Sequence, residues 1–301
     1  MSPPSLRPVP NRQAVLAERY RDALIDVRKR VSARVERNWR TLGSWDQADV
    51  DRFLSVTLPV VDAGQRRTIS LTDAYLARAT RTRAVGLPVD DLIGAAVRNG
   101  TEPAVVYTRP IVQLWSALSD GAQFMDAMNA AGVRAAQSAS TDISLTMRDA
   151  ATEFEVATDT ETEIIGWERV LDPEACAFCA AASTQRYTYP SPARVVELQE
   201  KFKTETGGDG WPMHTNCHCS IAPIFAENDR AIKDFNRQVL RNIKDANAGQ
   251  SGNYWQARHF RVDGQTGEVI LPDIAVHEHG ELGAVLADAA HDFTGPAQIP
   301  A

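Results

Sequence analysis

The sequence predicts an α+β protein: a mainly α-helical N-terminal region, then a small α+β domain around a cysteine cluster, then an extended C-terminal tail. Three observations predict it. Apolar residues recur at helical spacing through the first half, and β-branched runs are absent to about residue 157. The texture then changes at Thr162–Leu171, TEIIGWERVL, which is β-branched and aromatic in the manner of a strand. Finally, all four cysteines fall between residues 176 and 219. Four segments follow: a disordered lead-in over 1–10, a helical region over 11–109, the cysteine-bearing domain over 110–225, and a helix, hairpin and loose tail over 226–301.

Residues 1–10 hold four prolines, which disfavour regular structure. From Asn11 to about Leu42 the residues Leu16, Tyr20, Leu24, Val27, Val31, Val35 and Trp39 step by three or four, so one helix face is apolar. The remaining face is rich in arginine, and residues 1–41 carry ten basic against four acidic side chains. A solvated face is the plain reading of that excess; contact with DNA or an acidic partner is the sharper one. A second helical stretch starts near Asp46, with Asp46 or Ser44 as N-cap and Pro59 interrupting or kinking it. Shorter helices are expected over 89–99, 109–131 and 132–150. Beyond the first strand, prolines and glycines mark loops around a short helix at 193–203. SIAPIF over 220–225 reads as a closing strand, 226–246 as a polar helix, and DGQTG as the turn of a hairpin in RHFRVDGQTGEVILP.

The 301 residues are 44% hydrophobic and 24% charged, enough apolar content for a packed core. A net charge of −7 argues against a dedicated nucleic-acid binder while leaving room for a local basic stripe. There are 27 arginines and 5 lysines, scattered rather than patterned, as a GC-rich genome produces. No apolar leader and no run of about 18 uncharged apolar residues is visible, so neither secretion nor a membrane span is expected. In a reducing cytoplasm, paired cysteines read as metal ligands before disulfides.

Cys176 and Cys179 have knuckle spacing, and after 34 residues come His214, Cys217 and Cys219. Together they make five candidate ligands for a tetrahedral ion that needs four. Sulfur donors with one imidazole point to zinc, and nothing resembles a ferredoxin spacing. Which of the five is spare stays open. A site with four protein ligands has no open position for water, so its expected role is structural: it would staple a region with little apolar area of its own. Two disulfides or inert thiols are the competing readings. His218 would face away from the ligand side of an extended strand.

The pattern Trp167, Arg169, Val170, Cys176, Cys179, followed by Pro212, His214, Asn216, Cys217 and Cys219, resembles the phage Mu protein F-like (MuF) domain over roughly 110–225. The family's usual ending is H-P-N-C-R-C. Here Thr215 replaces the proline and His218 the arginine, so no role of that arginine carries over. The resemblance implies a minor capsid protein acting in head morphogenesis and in DNA packaging or delivery. It implies portal, scaffold or major capsid protein as partners, with packaged double-stranded DNA meeting the basic N-terminal helix. Localisation would be the head interior or portal vertex, after synthesis in the host cytoplasm. The segment AVHEHGELGAVLADAAHDFTGP and the arginine-rich composition are similar to head proteins of actinobacterial phages.

Enzyme signatures are scarce: GxSxG, HExxH, a P-loop and GxGxxG are all missing from the sequence. His277 and His279 in VHEHGE alternate with Glu278 and read as solvated before they read as ligands. Two enzymatic alternatives stand beside the structural reading. One is a capsid maturation protease encoded beside the portal, for which no nucleophile and base can be named. The other is a zinc-supported HNH-like nuclease, which lacks the His–Asn–His pattern. A cellular zinc-binding adaptor is a third, non-enzymatic alternative.

Overall fold

The computed structural model describes residues 12–43, 46–95, 101–158, 163–171, 175–176, 219–246, 261–270, 276–278 and 284–286. The expected lead-in at 1–10 and the helix at 193–203 lie outside them. The elements are α1 (Arg12–Arg40), α2 (Gln47–Thr80), α3 (Val89–Ala95), α4 (Pro103–Ser119), α5 (Phe124–Thr158), β1 (Gly166–Val170), β2 (Ala175–Cys176), β3 (Ser220–Ile224) and α6 (Ala226–Ala246). They are followed by β4 (Arg261–Val262), β5 (Val269–Ile270), β6 (Val276–Glu278) and β7 (Ala284–Leu286). The described chain is thus mainly helical with small antiparallel sheets, an α+β arrangement.

Helix α1 is the apolar stripe the sequence predicts. Tyr20, Leu24, Val27, Val31, Val35 and Trp39 are all buried. It lies between α2 and α5 and runs antiparallel to both. Gln13 Nε2 donates to Ala79 O at 2.9 Å near one end of α1, and Asn38 Nδ2 donates to Val56 O at 3.1 Å near the other. On the other flank Ser32 Oγ donates to Ala136 O and Trp39 Nε1 to Met128 O. Side chains pair along the way. Tyr20 stacks on Tyr75 with ring centroids 4.2 Å apart, and Trp39 meets Phe53 edge to face at 5.5 Å.

Helix α2 begins where Asp46, the N-cap, accepts from Asp49 N at 3.0 Å, and runs unbroken through Pro59 to a left-handed cap at Arg81. Proline removes one backbone donor there, but packing against α1 and α5 holds the helix on both sides of it. Asp73 then secures the connection to α3, accepting from Val85 N and Gly86 N at 2.9 and 3.0 Å.

The sequence-based division of 109–150 requires correction. The break lies not at 131–132 but between Ser119 and Phe124, and α5 is one helix of 35 residues. The turn is made by Gly121 at φ +87°, with Ala122 N donating back to Ala117 O at 2.9 Å. Gly132, which looks like a breaker in the sequence, instead provides close approach. A Cβ there would lie 2.6 Å from Trp39 Cδ1.

Two apolar clusters result. At one end Val31, Val35, Trp39, Phe53, Val61 and Ile143 pack with Tyr107, Ile111 and Leu114 of α4. At the other end Tyr20, Leu24, Ile69, Leu76 and Phe154 pack with Trp167, Val170, Leu171, Cys219, Ile221 and Phe225, and with Val239 and Ile243 of α6. The expected first strand starts at Gly166 rather than Thr162, and it pairs antiparallel with β3, Val170 opposite Ser220. Helix α6 starts directly off β3, where Asn228 Oδ1 accepts from Phe225 N at 2.8 Å, the back-reaching half of a capping box.

The predicted hairpin forms as β4–β5, with Asp263 Oδ1 accepting from Gln265 N and Thr266 N. It joins β2 in a three-stranded sheet and touches α6 through Asn242 Nδ2 and Gly267 O. A second pairing, β6 with β7, follows it, and the last residues, FTGPAQIPA, expected to be loose, lie outside the described residues. None of the described helices is long and apolar enough to cross a membrane.

Candidate metal centre at the open end of the β1–β3 ribbon

The candidate site is best approached from the ribbon that leads into it. Antiparallel register puts Val170 opposite Ser220, so the next positions outward are Leu171 on one strand and Cys219 on the other. The first strand continues from Leu171 toward Cys176. The second is entered from Cys217 through Cys219. The two halves of the cysteine pattern therefore leave the fold at one end of one ribbon.

Cys219 has 1% of its surface exposed and belongs to the core cluster shared by α1, α2, α5 and the ribbon. Its neighbour Ser220 is fully buried, and Ser220 Oγ has no hydrogen-bond partner among the described residues. Cys176 lies on β2, its backbone opposite Arg261 of β4, which ties this half of the pattern to the β4–β5 hairpin. The side chain of Cys176 and the whole of Cys179, His214, Cys217 and His218 fall outside the described residues. Among the described residues no group of three or more metal-ligating side chains occurs. His277 lies on β6 opposite Val285, while His279 is outside the described residues.

The sequence reading missed two arginines of α1. Arg21 is 2% exposed and Arg28 1% exposed, although both belong to the face expected to be solvated. Arg21 Nη1 donates to Leu171 O at 3.2 Å, and its other nitrogens meet Asp22 Oδ1 at 3.0–3.2 Å. Arg28 Nη2 donates to Cys219 O at 3.4 Å. The two guanidinium groups thus hold the two carbonyls that flank the open end of the ribbon. Burying a guanidinium is costly unless it reaches acceptors, and the carbonyls of two strand ends supply them. The available signal was the spacing Arg21, Leu24, Arg28, Val31, Val35, which sets both arginines beside the apolar stripe at i, i+3, i+7 steps. Arg169 of β1 is also buried, at 4% exposure. Trp167, buried on the same strand, donates Nε1 to Glu155 Oε1 at 2.8 Å and fixes the ribbon to α5.

Burial pushes the phenols of Tyr20 and Tyr75 far above their ordinary range, so both are neutral, and Tyr20 Oη shares a hydrogen bond of 2.7 Å with Thr72 Oγ1. Desolvation also raises Asp149 on α5, against the opposing pull of Arg148 at 2.7 Å. Neither feature assembles a reacting centre.

The chain has no match among curated proteins or solved structures. A family model described as VG15 protein matches residues 11–240, which takes in α1 through most of α6 and the whole cysteine pattern. The chain therefore belongs to the VG15 protein family, a family of phage proteins.

Proposed function

We propose that this VG15 family member is a minor capsid protein of a tailed phage, of the MuF-like kind, acting in head morphogenesis and in DNA packaging or delivery. One observation carries the reading: Leu171 and Cys219 are neighbours at the open end of the ribbon, so the CxxC half and the HxxCxC half spring from one place. Chain reversal between the halves then costs little, as a shared metal requires. Membership of a phage protein family supports the setting, and the arginine-rich composition supports a phage of an actinobacterial host.

Zinc is the ion the donor set fits, drawn from Cys176, Cys179, His214, Cys217 and Cys219. Bound there, it would act as a structural cross-link rather than as a Lewis acid. The described part of the site fits this role, because Cys219 is buried in the main core and Arg28 holds its carbonyl. The stapled domain would serve as a rigid docking module in the head interior or at the portal vertex, with portal, scaffold or major capsid protein as partner.

Elemental analysis and thiol titration test the centre first. One zinc per chain is expected, with cysteines that react only after chelation. A metal-free protein without reactive thiols would overturn the zinc site. Complementation tests the role: Cys176→Ser and Cys219→Ser should lower the yield of filled heads at least about tenfold, while His277→Ala leaves it unchanged. Full complementation by both cysteine variants, or cleavage of the major capsid protein by the purified chain, would refute the non-enzymatic head reading.

A further inference from the structure

Helix α4 has two apolar faces, and we propose that the outer one is a self-association surface on which a second copy of this chain packs its own α4 antiparallel. The inner face buries Val106, Tyr107, Ile111 and Leu114 in the cluster shared with α2 and α5. On the far side, at about 100° per residue, Val105, Val112 and Trp115 fall within a sector of about 80°. All three are exposed, Val112 to 52% and Trp115 to 40%. Phe124 and Met125, just past the turn at Gly121, are exposed as well. These five are half of the ten large apolar side chains left exposed among the described residues, so the exposure is concentrated rather than scattered. They present on the order of 400 Å² of apolar surface, the size at which a patch marks an interaction surface.

The charges around the stripe select a second copy as its occupant. From Pro103 to Ser119 the helix carries a single charge, Arg109. Asp120 follows as the C-cap, at the negative end of the helix dipole, and the last turn holds no basic residue to offset it. Arg109 and Asp120 border the same side of the stripe, separated by about 20° around the helix. A twofold axis crossing the pair of helices between Leu114 and Trp115 turns each side of one stripe toward the same side of the other. Arg109 and Asp120 lie equally far from that point along the chain. Each Arg109 therefore meets Asp120 of the second copy, twice per dimer, and supplies the cation that the end of α4 lacks.

The same axis brings the two Trp115 side chains together at the centre, the place where aromatic anchors contribute most to an interface. It sets Val105 beside the second copy's α4–α5 turn, which carries Phe124 and Met125. Two further acidic groups are nearby. Glu102 passes beyond the end of the second copy's α4, and Asp126, exposed in the first turn of α5, adds negative charge near the end that Arg109 reaches. With a polar rim the two copies would bury roughly 1,200 Å², the lower limit of stable interfaces, so association is reversible. The surface lies in the cluster of Trp39 and Phe53, whereas the cysteine pattern springs from the ribbon in the other cluster. The proposal thus stands independently of the metal centre and of the head-protein reading.

Sedimentation equilibrium of the full chain between about 1 and about 100 µM tests it, with a reversible monomer–dimer equilibrium expected. Val112→Glu, a change at an exposed position, should raise the dissociation constant at least about tenfold. Arg109→Glu and Asp120→Arg should each raise it about three- to tenfold, since each sets like charges opposite one another. An equimolar mixture of those two single variants should associate about as tightly as the unaltered chain, because every charge then meets its opposite across the pair. Misfolding would not produce that recovery, and neither would association through another surface. A chain still monomeric at about 100 µM would overturn the proposal, in favour of a different protein as occupant. A dimer indifferent to Val112→Glu, or a mixture no tighter than its components, would overturn it as well.

Discussion

Asp149 illustrates how burial sets the behaviour of a single carboxyl. It sits on α5 with 22% of its side chain exposed, and desolvation outweighs the attraction of Arg148, so its pKa lies above the usual aspartate value. Between its unfolded and its raised folded value such a group holds more protons folded than unfolded. Stability therefore falls as pH rises through that window, and stays on the lower plateau above it. Asp149→Asn removes this dependence. Its melting temperature relative to the unaltered chain should rise as pH is taken from about 3 to about 7. A difference independent of pH in thermal scans would contradict the assignment. Arg21 and Arg28 follow the opposite logic. Each is nearly fully buried, and the strand-end carbonyls of Leu171 and Cys219 accept from its guanidinium.

At the scale of elements, the three long helices approach closely because glycine stands where they cross. A Cβ on Gly64 of α2 would lie 2.5 Å from Val31 Cγ2 and 2.9 Å from Ile143 Cδ1, so a methyl there pushes α2 from both neighbours. On Gly132 it would meet the ring of Trp39, whose Nε1 is already committed to Met128 O. Gly64→Ala and Gly132→Ala should each destabilise by about 1–3 kcal/mol, despite alanine's better helix propensity, which offsets at most ~1 kcal/mol. Chemical denaturation checks this, and an unchanged or raised midpoint would show that the helices can part without cost. Of the interruption or kink expected at Pro59, the interruption does not occur, since α2 continues through it, and a tight constraint lies at Gly64, five residues later.

Across the whole molecule, the ribbon end is part of the main core rather than an appendage. Cys219 shares a cluster with Tyr20, Phe154, Trp167 and Val239, which come from α1, α5, β1 and α6. Metal loss, on the proposed reading, would therefore loosen more than the cysteine segment. Hydrogen exchange should accelerate on chelation in β1, β3 and the N-terminal half of α1. The amides around Trp39 and Phe53, which belong to the other cluster, should keep their protection. Acceleration confined to the segment between β2 and β3 would mean that the cysteine region is thermodynamically separate from the helices.

Periodicity and punctuation in the sequence by themselves determined much of this protein. The apolar steps from Tyr20 to Trp39, the strand pair around Trp167 and Ile221, the capped start at Asp46 and the DGQTG turn depend on local spacing and turn chemistry, which a linear reading detects. The residue types and their spacing in the cysteine pattern are likewise local, as is the basic excess of α1. Tertiary structure alone decided which arginines of α1 are buried, because that depends on where the ribbon's carbonyls dock. It also decided that Gly132 is a contact point within α5 and that Gly121 makes the break, since a glycine serves either purpose and only its neighbours select between them. The meeting of Leu171 and Cys219 is of the same kind. Strand register links residues 48 positions apart, and nothing local to either segment encodes it.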